Sequence, residues 1–184
     1  MMTKSLMQNL CFSPGTLDDL EGIMVIEQAS FSYPWTEAMV LSELFDNPFA
    51  ESFVVRLDGE EKIVAYVFAR RVVDELHLMD LAVDPVWRRR GIGEQLIRRV
   101  LSSGAEKGLE KVILEVRVSN LPAQRLYRKL GFYQVGERRN YYYKPTENAF
   151  LFQLDRHKKE GGLDHFLKPG LEQKGQSKPV SWVS

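Results

Sequence analysis

A loop that could bind phosphate lies in the middle of the chain, within residues 81–94. An apolar stretch and an Asp-Pro turn lead into three arginines, Arg88 to Arg90, and two glycines, Gly91 and Gly93, after which a helical pattern begins. Glycines let a ligand approach the backbone closely, and a helix start offers unpaired N–H groups at the positive end of its dipole. The pattern therefore predicts a site for a phosphate-bearing ligand.

Two common phosphate-binding motifs do not fit this loop. A Walker loop needs Gly-Lys followed by Ser or Thr at the helix start, whereas this chain has Gly93-Glu94-Gln95. A dinucleotide-binding loop has a third glycine, and the loop follows the first strand of the fold. Here Ile97 holds the third-glycine position, and the loop follows the fourth predicted strand. The pattern therefore disfavours both motifs, and the residues alone leave the ligand open.

The elements that must position this loop follow from hydrophobic periodicity and capping residues. Thr16 and Asp19 form a capping box before a helix, Thr36 and Asn120 can cap two others, and Asp58-Gly59 separates two segments typical of a hairpin. The predicted order is βααβββαβαββ, an α/β or α+β fold with about four helices on a mixed, mostly antiparallel sheet of about seven strands. The predicted strands are 9–13, 52–57, 63–73, 76–83, 111–118, 132–136 and 149–154, and the helices are 17–30, 36–45, 94–107 and 120–130.

Composition narrows the class of protein. The 184 residues carry no net charge, Cys11 is the only cysteine, and the three histidines form no metal motif. We expect one domain over residues 1–154 and a flexible tail over 155–184. We also expect a soluble cytoplasmic protein, a monomer or weak dimer, with no metal and no nucleic-acid or membrane partner.

The loop and the segments around it resemble the acetyl-CoA-binding core of the GNAT N-acetyltransferase superfamily. The resemblance covers nearly all of residues 11–154 and rests first on the Arg88-x-x-Gly91-x-Gly93 pattern after a strand. Four further segments are similar to the RimI-like branch, bacterial enzymes that acetylate the N-terminal alanine of a small-subunit ribosomal protein. They are Tyr33-Pro34-Trp35 and residues 114–120, 125–132 and 138–142.

This resemblance implies acetyl-CoA as the cosubstrate and assigns residues to it. Leu81, Ala82 and Val83 would line the pantetheine arm, and Asn120 would contact CoA as well as cap its helix. The pyrophosphate would lie in the loop formed by Arg89, Arg90, Gly91, Ile92, Gly93 and Glu94. Glu94 is a departure, because relatives often carry a basic residue there. We therefore expect backbone amides to provide most of the binding.

The resemblance also assigns the chemistry. By alternation alone, Glu115 is a charge on the solvated side of its strand, and Tyr127 lies beside the core stripe of its helix. By analogy, Glu115 is the base that accepts the amine proton, and Tyr127 is the acid that protonates the departing thiolate. A backbone N–H within residues 81–83 would stabilise the oxyanion.

The predicted acceptor is the N-terminal alanine of a small-subunit ribosomal protein, held in a groove bordered by Tyr33, Trp35, Tyr141 and Tyr142. Three alternatives remain at this point. The chain could acetylate lysine side chains or a small amine, it could bind CoA without catalysis, or its arginines could bind nucleic acid. Zero net charge disfavours the last.

Overall fold

The computed structural model describes residues 10–155, which form one seven-stranded sheet with helices on both faces. The strand order is β1-β2-β3-β4-β5-β7-β6, and every neighbouring pair is antiparallel except β4 and β5, which are parallel. The predicted fold class and order of elements are confirmed. The strands are β1 (Leu10–Pro14), β2 (Ala50–Leu57), β3 (Ile63–Val72), β4 (Glu75–Val83), β5 (Lys111–Arg117), β6 (Tyr133–Tyr142) and β7 (Glu147–Asp155).

Four α-helices pack on the sheet. They are α1 (Leu20–Ser30), α2 (Glu37–Leu41), which continues as a π-helical turn over Ser42–Asp46, α3 (Ile92–Glu106) and α4 (Leu121–Lys129). The predicted caps form: the Thr16 N–H donates to Asp19 Oδ2 at 2.7 Å, and the Met39 N–H donates to the Thr36 hydroxyl at 3.3 Å. The α3 helix begins at Ile92, two residues before the predicted start, because Gly91 already takes the N-cap position.

The sheet separates two hydrophobic clusters, which shows the side of the sheet that each strand residue faces. One cluster lies under α3 and α4 and includes Leu78, Leu114 and Val116, with Leu81 and Val83 packed against it. The other lies under α1 and α2 and includes Ile23, Tyr66, Phe68 and Ala82. Because side chains alternate along a strand, Asp80 and Glu115 both face the α1–α2 side.

The two parallel strands separate halfway along their length. Their pairing runs only from Glu75↔Lys111 to Leu78↔Leu114, although β4 continues to Val83 and β5 to Arg117. The separation begins where Met79 is an extra residue in β4, opposite the step from Phe68 to Ala69 in β3. A bulge of this kind bends its strand and ends pairing. The sheet is therefore split between the second halves of β4 and β5.

The sixth strand is longer than the sequence predicted. It runs to Tyr142 instead of ending at Gly136, and its register shifts between Arg138 and Tyr142. Asn140 has a φ of +53° there, and its N–H donates to Asn148 Oδ1 at 2.9 Å. This side-chain bond bridges the irregularity and keeps β6 beside β7, so the predicted boundary was wrong.

Two predictions fall partly beyond the described residues, the domain over residues 1–154, whose first nine residues lie outside them, and the tail over residues 155–184. The predicted tail lies outside them except for Asp155, which ends β7. Within residues 10–155, no helix is both long and apolar enough to cross a lipid bilayer.

Candidate active site

A cleft of about 710 Å³ opens beside the split between β4 and β5. Its volume is within the range of small-molecule sites. Nine of the ten residues predicted for the cofactor line it: Leu81, Ala82, Val83, Arg89, Gly91, Ile92, Gly93, Glu94 and Asn120. The prediction missed the lining residues Ser30, Phe31, Trp87, Arg88, Pro122, Ala123, Arg125, Leu126 and Lys129. Most of these lie on α4, whose face toward the loop was not evident from spacing.

The backbone of the loop is shaped for an anion. Gly91 has a φ of +80°, which favours glycine, and it accepts the first helical hydrogen bond of α3 from the Gln95 N–H at 3.1 Å. The N–H groups before Gln95 therefore belong to the open first turn of the helix. The three atoms nearest to a Cβ added at Gly93 belong to Leu126, Leu81 and Val83, each at 3.7 Å. The protein itself has room for a side chain at Gly93, so what a glycine preserves there is space for a ligand.

The three arginines of the loop differ in what they contact. Arg88 donates to the Val83 carbonyl at 2.9 Å and to Ser30 Oγ at 3.0 Å, which ties the loop to the end of α1. Arg90 donates to the Val86 carbonyl at 3.3 Å and lies 4.5 Å from the centre of the Trp87 ring. Arg89 lines the cleft, whereas Arg90 does not. A pyrophosphate contact by Arg90 stays a prediction.

Glu94 is neutralised by two cations. Its carboxylate lies 2.8 Å from Arg98 one turn later on α3 and 2.6 Å from Lys129 on α4. The hydrogen bond from Lys129 is the main reason that the pKa of Glu94 lies below its usual value. The acid that departed from the family pattern is therefore a bridge between the two helices that flank the cleft.

Asn120 stands at the start of α4, on the opposite wall of the cleft. Its side-chain oxygen accepts the Ala123 N–H at 3.1 Å, which is the predicted cap. Pro122 in the first turn favours the same start. Asn120 also lines the cleft, so the cap leaves it beside the predicted ligand.

Glu115 lies on β5 and faces the α1–α2 side, next to the split. Its carboxylate is 18% exposed and lies 3.2 Å from the Arg138 guanidinium on β6. Arg138 is half exposed and its guanidinium is 5.4 Å from the centre of the Tyr141 ring. The neighbour that pairs with Glu115 therefore comes from the segment that the sequence had singled out at residues 138–142.

Tyr127 is buried within the core rather than beside it, so its predicted position at the edge of the stripe was wrong. Its ring lies 5.7 Å from that of Phe132 and 6.4 Å from that of Phe152. Burial, Tyr142 and Asp80 together raise the pKa of Tyr127. Tyr127 and Glu115 do not line the 710 Å³ cleft. They lie on opposite faces of the sheet.

The predicted aromatic border divides into two kinds of residue. Trp35 stacks on Phe68 at 5.7 Å and packs against the core, whereas Tyr33 is 59% exposed. Tyr33 meets Tyr143 edge to face at 6.1 Å. The hydroxyl of Ser32 also donates to the Lys144 carbonyl at 3.2 Å. The loop after α1 and the turn after β6 therefore touch each other.

Tyr141 and Tyr142 continue this border along β6. Their rings are perpendicular at 5.1 Å, and the Arg117 guanidinium lies 4.2 Å from the Tyr142 centroid. Burial and the neighbouring Tyr141 raise the pKa of Tyr142, and Glu115 and Asp80 both add to this shift. Tyr142 is thus within electrostatic reach of acids on both sides of the split.

The split leaves backbone donors facing the cleft. The Asp84 N–H donates to the Val64 carbonyl of β3 at 2.9 Å, so by alternation the N–H groups of Leu81 and Val83 point away from β3, toward the split. Such donors can stabilise an oxyanion. Among residues 10–155, no cluster of three His, Cys, Asp or Glu side chains is placed to hold a metal ion.

Comparison with known proteins assigns this chain to a family. The chain is 36% identical to a putative ribosomal protein bS18-alanine N-acetyltransferase of Bacillus subtilis, over 82% of this chain and 95% of that protein. It is 35% identical to the bS18-alanine N-acetyltransferase of Salmonella typhimurium, over 74% of this chain and 90% of that protein. The crystal structure of the ribosomal-protein-S18-alanine N-acetyltransferase of Escherichia coli superposes with a TM-score of 0.73 at 32% identity, over 79% of this chain and 93% of that one.

The family profile described as "Acetyltransferase (GNAT) family" matches residues 20–132, more than half of the chain. Enzymes of this family use acetyl-CoA as the acetyl donor. This agrees with a cleft that has an open helix start at its loop and apolar walls toward the split. The chain belongs to the GNAT acetyltransferase family and is an acyltransferase.

Proposed function

We propose that this enzyme transfers the acetyl group of acetyl-CoA to the α-amine of the N-terminal alanine of ribosomal protein bS18. In this proposal Glu115 accepts the amine proton, the free amine attacks the thioester directly, and Tyr127 protonates the departing thiolate. The pyrophosphate lies at residues 89–94 and the pantetheine arm enters the split along Leu81–Val83. Tyr33, Trp35, Tyr141 and Tyr142 border the acceptor groove.

One observation carries the proposal. A carboxylate, Glu115, lies beside a split sheet whose other strand carries the apolar residues and backbone donors suited to a thioester. The similarity to bS18-alanine N-acetyltransferases over most of their length supports the acceptor.

The acceptor chemistry agrees with a single carboxylate base. An α-amine has a pKa of about 7.7–8.0 in model compounds, whereas a lysine side chain has one of about 10.4. An N-terminal amine therefore loses its proton near neutral pH at much lower free energy, and a carboxylate acting directly or through one water suffices. Tyr127 keeps its proton over the same pH range, because a phenol has a pKa of about 10 and burial raises the pKa of Tyr127 further.

The test is acetylation of a peptide that copies the N-terminus of bS18 and also contains an internal lysine. We expect acetyl-CoA-dependent modification at the α-amine only. A second peptide with a blocked α-amine should remain unmodified. Glu115→Gln should lower kcat about 10²–10⁴-fold, the range for loss of a general base.

The opposite result would assign the alternative activity. If the blocked peptide is acetylated at its lysine as fast as the free peptide, the enzyme is a lysine or small-amine acetyltransferase. If Glu115→Gln and Tyr127→Phe both turn over as fast as the parent enzyme, the residue roles are wrong even when the acceptor is right.

A further inference from the structure

A chain of hydrogen bonds links the acceptor loop to the strand that would hold the thioester. Glu27 on α1 accepts the Trp35 N–H at 3.3 Å, and the Tyr66 hydroxyl lies 2.7 Å from the other oxygen of Glu27. The same hydroxyl lies 3.0 Å from Asp80 Oδ2 on β4. The remaining oxygen of Asp80 accepts the Leu81 N–H at 2.8 Å. None of these acids has a role in the proposed reaction.

The number of protons available to these hydrogen-bonded groups fixes their net charge. A phenol has one proton, so Tyr66 can donate to only one of the two carboxyl groups that it touches. The other contact can be a hydrogen bond only if a carboxyl proton supplies it. Glu27 and Tyr66 are fully buried and Asp80 is half-buried. Neither Glu27 nor Asp80 has a lysine or arginine among its hydrogen bonds and ion pairs in residues 10–155. Two ionised carboxylates sharing one donor would be costly in such a place.

The proton belongs on Asp80. Glu27 accepts two hydrogen bonds, one from a backbone N–H and one from Tyr66, which suits an ionised group. Burial and the neighbouring Glu27 raise the pKa of Asp80 well above its usual range. Asp80 can then donate to the Tyr66 oxygen while Tyr66 donates to Glu27.

Asp80 and Glu115 face the same side of the sheet from opposite edges of the split. Tyr142 is within electrostatic reach of both. Their partners differ: Glu115 lies 3.2 Å from a guanidinium, whereas Asp80 is hydrogen-bonded to Tyr66 and is influenced by Glu27. Tyr127 and Tyr142 are within electrostatic reach of Asp80. Glu115 therefore has a cationic partner, whereas no lysine or arginine is among the hydrogen bonds and ion pairs of Asp80 in residues 10–155.

We propose that Asp80 is a positioning residue that stands over the split as a neutral carboxylic acid and holds the Leu81 N–H in place for release to the thioester carbonyl. The idea deepens the proposed acetyl transfer and rests on it. A carboxylate would bind the Leu81 N–H by a stronger, charge-assisted bond and would place a second negative charge next to the oxyanion. A neutral acid releases the N–H more easily, so that Glu115 is the only charged base at the split.

The protonation state is tested apart from activity. In the parent enzyme carrying ¹³C-labelled aspartate carboxyls, we expect one carboxyl resonance with the chemical shift of a protonated acid at neutral pH. Asp80→Asn should remove this resonance. Ionised resonances for every aspartate would overturn the proposal. This measurement needs no turnover, so it holds or fails independently of the proposed acceptor.

Stability gives a second test with a definite sign. A carboxyl group whose pKa is higher in the folded state costs stability as pH rises above its unfolded value of about 3.9. The denaturation midpoint of Asp80→Asn should therefore rise relative to the parent between about pH 4 and pH 8. Asp18→Asn, which removes an exposed carboxyl, is the control. Its midpoint should not rise relative to the parent over this pH range. A pH-independent difference for Asp80→Asn would contradict the neutral acid.

Kinetics then test the role. Asp80→Asn keeps a neutral group that can accept the Leu81 N–H, so kcat/KM should fall less than about tenfold, far less than in Glu115→Gln. Asp80→Leu, which cannot accept that bond, should lower kcat much more than it raises KM. A loss in Asp80→Asn as large as that in Glu115→Gln would make Asp80 a charged base and overturn the proposal.

Discussion

The Arg138 guanidinium on β6 lies 3.2 Å from the Glu115 carboxylate on β5, although β7 separates the two strands in the sheet. The contact spans an intervening strand because both side chains rise from the same face. It fixes the direction of the carboxylate that we propose as the base. Arg138 is half exposed, so this ion pair adds little to folding stability. The ion pair therefore serves mainly to orient the Glu115 carboxylate.

Replacing Arg138 with glutamine should therefore affect turnover more than stability. We expect Arg138→Gln to lower kcat about tenfold with a smaller change in KM, because a misdirected base slows proton removal without weakening binding. The free energy of unfolding should change by about 1 kcal/mol or less. Steady-state kinetics and urea denaturation measure both.

Arg139 provides the matched control for this substitution. It is the next residue on β6 and is exposed, and Arg139→Gln removes the same charge. If kcat falls equally in the two variants, the loss comes from removing a positive charge and not from misdirecting Glu115. If Arg138→Gln raises only KM, Arg138 binds the peptide and does not orient the base.

The space at Gly93 gives a prediction for cofactor binding. A methyl group there would make only ordinary contacts with the protein at 3.7 Å, so Gly93→Ala should fold normally and gain up to about 1 kcal/mol from helix propensity. The same methyl group would enter the space that the pyrophosphate needs. We expect calorimetry to show CoA affinity lower by at least about tenfold, or 1.4 kcal/mol.

Gly104 on the same helix separates these effects. Its added Cβ would lie 3.2 Å from Leu76 in the core and far from the loop. Gly104→Ala should therefore change the denaturation midpoint and keep CoA affinity. Unchanged affinity in Gly93→Ala would place the pyrophosphate elsewhere.

The bridge at Glu94 predicts a gain of affinity when it is removed. Glu94→Gln removes the ion pairs with Lys129 and Arg98 and deletes a negative charge from the lining of the cleft. We expect CoA to bind several-fold more tightly at low salt, with the gain fading as salt screens the remaining positive charge. Stability should fall by about 1 kcal/mol or less.

Glu106→Gln, at the other end of α3, is the control for net charge and should leave CoA affinity unchanged. A loss of affinity in Glu94→Gln would mean that the bridge shapes the cleft and that its cations do not compete with the cofactor.

Local features of the fold could be predicted because they depend on neighbouring residues. The caps at Thr16, Thr36 and Asn120 formed, and the hairpin around Asp58-Gly59 is present. Each is decided within four residues of sequence. The resemblance also located nine residues of the cleft, and eight of them lie in the continuous segment of residues 81–94.

Contacts between distant segments could not be predicted. The split between β4 and β5 depends on a bulge opposite β3, and the continuation of β6 depends on a side-chain bond from Asn148. Tyr127 was expected at the edge of its helix, but Phe132 and Phe152 enclose it. The Glu27, Tyr66 and Asp80 cluster joins three elements whose separations in sequence follow no period.

Buried tyrosines make the enzyme sensitive to alkaline pH. The pKa values of Tyr66 and Tyr127 are both raised, chiefly by burial. Above about pH 10 the unfolded chain releases phenol protons that the folded chain keeps, so folded Tyr127 alone lowers the free energy of unfolding by about 1.4 kcal/mol per pH unit. Tyr127→Phe should make this decline shallower by that amount in denaturation series from pH 9 upward, whereas Tyr143→Phe, which alters an exposed ring, should keep the parent slope. Equal slopes in all three proteins would mean that the Tyr127 hydroxyl reaches solvent freely. That result would contradict a buried phenol that donates its proton to the thiolate.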